Sequence, residues 1–158
     1  MIIKEITEIQ EKQNITRTIL EALTDWFGVT ESREGYIRDC VDKRYWAAFD
    51  EERPVGFICL SETGKDTVDL YVMGVLKEYH RNGIGRKLFD EAKKAAAQAG
   101  YSFMQVKTVK MGMYEDYDRT NRFYKAVGFK EFEVFPTLWD EANPCQVYVM
   151  YLRTEESV

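Results

Sequence analysis

Two rhythms of apolar and polar positions run along this chain, one near period two and one near 3.6, and the switches between them mark its elements. Residues 1–6 read as a short strand. Ile15, Ile19 and Leu23, followed by Trp26 and Phe27, recur at helical spacing, which predicts a helix over residues 13–25 stopped by Gly28. Thr30 suits the N-cap of a second helix carrying Ile37, Cys40 and Val41. Residues 45–49 and 55–61 read as paired strands around a turn at 50–54. A further turn at 62–66 leads into a strand over 67–75. Ile84, Leu88, Ala92, Ala95, Ala96 and Ala99 fall on one side of a third helix closed by Gly100, and its alanines imply close packing on a sheet. A strand over 103–109, an acidic and aromatic loop over 111–118, and a helix over 119–127 ended by Gly128 come next. Strands over 130–135 and 147–152, joined by a loop at 136–144, complete the chain. The order β-α-α-β-β-β-α-β-α-β-β predicts an α/β (α+β) fold, a mixed sheet with helices on both faces. A single domain is expected over 1–153, with a frayed tail at 154–158.

With 158 residues, 45% of them hydrophobic and 31% charged, the chain can bury one proper core. Its net charge of −5 argues against a nucleic-acid surface, which needs a basic face. No apolar run approaches membrane-spanning length, so no membrane partner is expected. Cys40, Cys59 and Cys145 are odd in number and widely spaced. They form neither a zinc nor a redox pattern, so no metal is expected and the thiols read as reduced in a cytoplasmic protein.

The most informative stretch is Val75-Leu-Lys-Glu-Tyr-His-Arg-Asn-Gly-Ile-Gly-Arg86, where an apolar strand passes through a polar turn into a glycine pair and a helix. Gly83 and Gly85 stand where the turn becomes the helix, so backbone N–H groups can face outward with no Cβ in the way. Unpaired N–H groups and the helix dipole together make such a corner an anion site. A second motif follows downstream, Asn121-Arg-Phe-Tyr-Lys-Ala-Val-Gly-Phe129.

Together the two motifs resemble the GNAT superfamily, which transfers acetyl groups from acetyl-CoA to amines. The resemblance implies a mostly antiparallel sheet and acetyl-CoA as co-substrate. It implies that the turn from His80 through Arg81, Asn82, Gly83, Ile84, Gly85 and Arg86 holds the cofactor's diphosphate. The backbone of Met73 and Val75 would pair with the pantetheine amides, and Gly74 between them suits a bulge, with relief of crowding as the alternative. His80 stands where the family has Gln or Arg. It is too far from the expected thioester to serve as a base. Tyr124 takes the place of the family's tyrosine, the acid that protonates the departing thiolate and a neighbour of the cofactor's sulfur; a tyrosine packed between helix and sheet with its hydroxyl satisfied is the alternative. Asp69 takes the position of a glutamate base in one branch of the family, one methylene shorter. A solvated carboxylate or a simple ammonium ligand is the alternative for it. Asn121 is read as a cofactor contact, although the family's usual asparagine position is occupied here by Tyr117. Asp118 is a candidate cap for the helix that follows it.

Tyr114, Tyr117, Phe135 and Trp139, with Asp140 and Glu141, crowd segments expected to border the acceptor, where aromatic faces and carboxylates suit an ammonium. Ordinary core is the alternative for Phe135 and Trp139. The leading reading is an N-acetyltransferase acting on a primary amine of a small molecule by direct attack in a ternary complex. A protein or peptide N-acetyltransferase and a non-catalytic acyl-CoA sensor are the rivals. A lid formed by residues 136–144 would favour the small amine. Members of the family often pair through terminal strands, so a homodimer is an expectation of the resemblance alone.

Overall fold

The computed structural model describes residues 1–152, and the tail expected to fray at 154–158 lies outside the described residues. Strands and helices follow in the predicted order: β1 (Ile2–Glu5), α1 (Ile9–Glu21), α2 (Thr30–Asp39), β2 (Arg44–Asp50), β3 (Arg53–Gly64), β4 (Thr67–Val75), α3 (Ile84–Gln98), β5 (Phe103–Val109), α4 (Glu115–Ala126), β6 (Lys130–Asp140) and β7 (Asn143–Tyr151). The strands form one mixed sheet in the order β1-β2-β3-β4-β5-β7-β6. β4 runs parallel to β5, whereas β1–β2, β2–β3, β5–β7 and β6–β7 are antiparallel. A parallel neighbour needs a long crossover, and α3 supplies it. The chain divides into two compact units, residues 1–61 with 71–95, and residues 62–70 with those from 96 onward.

In the first unit, α1 buries Ile15, Ile19 and Leu20 along one face. Its start lies at Ile9, earlier than predicted, because the Glu8 carboxylate accepts the Glu11 N–H and caps the first turn. Lys12 is buried on this helix, and its ammonium donates to the carbonyls of Val41 at 3.1 Å and Lys43 at 2.7 Å. Those bonds replace lost hydration. In β2, Tyr45 stacks on Phe57 of β3 at 5.2 Å between centroids. Gly74, expected to mark a bulge, has a plainer reason to be glycine. A Cβ there would stand 3.0 Å from both Ile19 Cγ2 and Leu23 Cδ1, so its absence lets α1 lie against β4.

In the second unit, β5 pairs with β7 from Phe103 opposite Tyr151 to Val109 opposite Cys145, and Met104, Val106, Val147 and Tyr148 of these strands are buried. Three expectations are corrected here. α4 begins at Glu115 rather than at residue 119, and its first turn carries Glu115, Asp116 and Asp118, which favour the positive end of the helix dipole. Asp118 lies inside that turn and accepts the Gly112 N–H at 2.7 Å, tying down the preceding loop instead of capping the helix. The loop expected over 136–144 is a hairpin: β6 runs to Asp140, and Asp140 pairs with Asn143 across a tight turn. Between Phe135 and Asp140 the register shifts, so residues 136–139 bulge from the ladder.

Candidate active site

The first cluster of site residues lies in the first unit, where β4 gives way to α3. After Val75, the Leu76 N–H bonds the Val55 carbonyl at 2.9 Å, and residues 77–79 make one 3₁₀ turn. His80, Arg81 and Asn82 then lead to Gly83, whose carbonyl accepts the Lys87 N–H at 3.1 Å as the first bond of α3. Arg81 and Gly83 both adopt left-handed backbone, with φ of 68° and 74°. Gly83 tolerates this freely. Arg81 holds it at a cost of about 1 kcal/mol, the kind of strain that persists where the backbone must take one shape. Left-handed residues on either side of Asn82, just before the first turn of α3, are the ingredients of an anion-binding nest. Arg81, Asn82 and Gly83 are exposed, and nothing lies within 4 Å of where a Gly83 Cβ would be. Ile84 turns its side chain into the core and offers only its backbone.

His80 serves a different part of this corner than the motif suggested. Its Nε2 donates to the carbonyl of Val75 at 2.7 Å, since a carbonyl can only accept. Trp26 sets its ring edge against the imidazole at 5.9 Å. The Lys77 ammonium lies over Trp26 at 5.7 Å and pairs with Asp25. The histidine therefore braces the end of β4, and the chain following α1 braces the histidine. Val75 keeps its carbonyl engaged, and Met73 is half-buried one pleat earlier.

Asp69, Asn121 and Tyr124 belong to the second unit. Asp69 is 8% exposed, and its Oδ1 is buried with no hydrogen-bond partner. Opposite it on β5 stands Gln105, and one pleat further Lys107 brings Nζ to 4.0 Å from Oδ1. Burial pushes the Asp69 carboxyl above its ordinary range, while Lys107 and Gln105 pull it back. Asp69 is thus a buried carboxylate of raised proton affinity and not a solvated strand residue.

Tyr124 is placed by the end of α4. Gly128, at φ 114°, lets the Phe129 N–H reach the Tyr124 carbonyl at 3.0 Å and its own N–H reach the Lys125 carbonyl at 3.2 Å. These two bonds form a Schellman cap, and the rings of Tyr124 and Phe129 meet at 5.7 Å as its hydrophobic contact. The Tyr-x-x-x-Gly-Phe spacing is thus a helix terminator that fixes the tyrosine. Phe123 and Tyr148 also border its ring, at 5.9 and 6.2 Å.

Asn121 needs correction as a cofactor contact. It is 0% exposed, its amide nitrogen donates to the carbonyls of Val109 at 2.9 Å and Tyr117 at 2.7 Å, and its oxygen accepts the Tyr148 hydroxyl at 2.6 Å. Burial raises the Tyr148 phenol, which keeps that proton in place. Asn121 is a buried tie between α4, β5 and β7, out of reach of a ligand. The sequence also gave no sign of Lys107, Gln105 or Tyr148. Only strand register, read as facing pairs, could have pointed to the first two.

A strand, a left-handed turn and a helix start thus meet at one corner of a mixed α/β sheet. The acetyltransferase (GNAT) domain family matches residues 41–131, and the chain belongs to it. No curated protein matches. Among solved structures, the chain is similar to an acetyltransferase of the GNAT family from Desulfovibrio desulfuricans, with a TM-score of 0.83, 18% identity, and 96% of this chain and 100% of that one covered. It is similar to an aminoglycoside 6'-N-acetyltransferase complexed with coenzyme A (TM-score 0.75, 20% identity, 98% and 99% covered). Ard1 from Thermoplasma volcanium is a third (TM-score 0.76, 16% identity, 97% and 98% covered). At such identities these likenesses speak for the fold. Among the described residues no helix is long and apolar enough to cross a membrane.

Proposed function

We propose that this chain moves an acetyl group from acetyl-CoA to a primary amine of a small molecule by direct attack. The observation that carries this reading is the turn at Arg81–Gly83, whose two left-handed residues and open Gly83 fit a diphosphate. Backbone N–H groups of residues 83–86 would hold the diphosphate, with Arg81 and Arg86 adding charge. Met73 and the N–H of Val75 would meet the pantetheine arm. The bound thioester supplies an activated acetyl carbonyl. Asp69 accepts one proton from the acceptor's ammonium, which frees the nitrogen lone pair to form the C–N bond. As the C–S bond breaks, the sulfur takes the electron pair and a proton from Tyr124, and Tyr124 recovers a proton from the same nitrogen. The net proton leaves through Asp69.

For the acceptor, support comes from an outward aromatic and acidic patch in the second unit. Phe135 and Trp139 are exposed rather than core, Trp139 at 47%, and Tyr114 is exposed with its ring against Tyr117 at 6.2 Å. Asp140 and Glu141 adjoin them. Such faces attract ammonium groups, and relatives of this fold act on aminoglycosides. The hairpin at 130–151, standing where a lid would have favoured a small acceptor, favours a second reading, a protein or peptide amine.

The test is CoA-thiol release from acetyl-CoA against a panel of small polyamines, amino sugars and peptides, paired with acetyl-CoA binding to wild type and Gly83→Asp. Turnover on a small amine is expected, with acetyl-CoA affinity at least tenfold lower in the variant, a loss of about 1.4 kcal/mol or more. Turnover on peptides alone would favour the second reading. Tight binding without any turnover would make the chain an acyl-CoA sensor. Unchanged affinity in Gly83→Asp would refute the turn as the diphosphate site.

A further inference from the structure

We infer that Lys107 is a positioning residue that holds Asp69 ionised while leaving its oxygen vacant, and this inference rests on Asp69 being the base. A base in this place must satisfy two demands that oppose each other. It has to be charged although it is buried, and it has to keep a lone pair free for the incoming proton. A direct salt bridge would meet the first and defeat the second. The distance found, 4.0 Å from Lys107 Nζ to Asp69 Oδ1, meets both. It is beyond hydrogen-bonding range, and Oδ1 keeps no hydrogen-bond partner. Yet at that distance a full positive charge still acts strongly on a poorly solvated carboxylate.

The sheet makes this spacing. Asp69 lies opposite Gln105 in the parallel ladder, and Lys107, two residues along β5, shares the face of Gln105. The lysine side chain is 36% exposed, so its ammonium end reaches solvent while its stem reaches inward. Around Asp69, β5 brings Gln105 and Lys107, β7 brings the neutral thiol of Cys145, and Thr63 of β3 lies 3.5 Å from the Gln105 amide. Among the described residues Lys107 is the cation within ion-pair reach of Asp69. Burial raises the carboxyl and Lys107 is the largest influence opposing it.

The experiment follows the Asp69 carboxyl carbon by NMR through a pH titration in wild type, Lys107→Met, Lys107→Gln and Lys107→Arg, alongside the acidic limb of kcat/KM. Removing the positive charge should move the Asp69 midpoint up by about one pH unit in the Met and Gln variants, with the acidic limb of the rate moving by the same amount. Lys107→Arg, which keeps the charge, should retain both wild-type values. An Asp69 midpoint that is the same in wild type and in the neutral variants would overturn the inference, as would an Arg variant that shifts like Met. If the midpoint moves and the rate limb does not, the hold of Lys107 on Asp69 stands and the assignment of Asp69 as base falls.

Discussion

Asp69 carries a stability signature that can be measured without any substrate. Its folded-state pKa is raised, so the native chain binds that proton more tightly than the unfolded chain does. This contribution to stability is fully present below the ordinary carboxyl range and is lost as pH rises through the raised value. Asp69→Asn removes it. The variant should therefore gain on wild type as pH goes from 4 to 7, read as the change in the gap between their urea midpoints; a constant gap would contradict the burial cost described for this carboxyl. Tyr124→Phe tests the other end of the proposed chemistry and should cut kcat on the order of a hundredfold while leaving acetyl-CoA affinity near wild type. Equal loss in both would make the phenol a binding group. At single residues the motifs made local conformation legible: Gly83 sits where the turn becomes α3, and Tyr124 is held by the helix end at Gly128. Asn121 was misread because a polar residue in a motif looks the same whether it faces a ligand or a buried carbonyl. Only the three bonds to Val109, Tyr117 and Tyr148 distinguish the two.

Elements were the most readable level, because periodicity reports burial directly. The predicted order of strands and helices is the order found, and β5 has the predicted limits of 103 and 109. The misses have local causes. α4 gained a turn because acidic residues at a helix start look like a loop to a hydropathy pattern, and β6 was cut short at Pro136, a residue an edge strand tolerates where it bulges. Gly74 shows how an element depends on what is missing. Gly74→Ala should place a methyl against Ile19 and Leu23 and force α1 off β4, costing about 1–3 kcal/mol by urea unfolding. If the variant is as stable as wild type, α1 yields more readily than this packing implies. Gly83→Ala lacks such neighbours, so its cost should come from backbone strain alone and stay near 1 kcal/mol.

At the scale of the whole molecule, the sequence showed the family and hid the partition into two compact units, because contact density is a property of the folded chain. A ligand that binds only the folded state raises its melting temperature by mass action. Acetyl-CoA at a hundred times its dissociation constant should add about 2.7 kcal/mol, or about 5–10 °C for a chain of this size. Scanning calorimetry that shows no such rise would remove acetyl-CoA as the co-substrate. The chain has one histidine, and it is the one that braces the end of β4. Every imidazole resonance in a spectrum of this protein therefore arises at the corner where a diphosphate is expected, and occupancy there can be followed in solution from one unassigned peak, with no label attached.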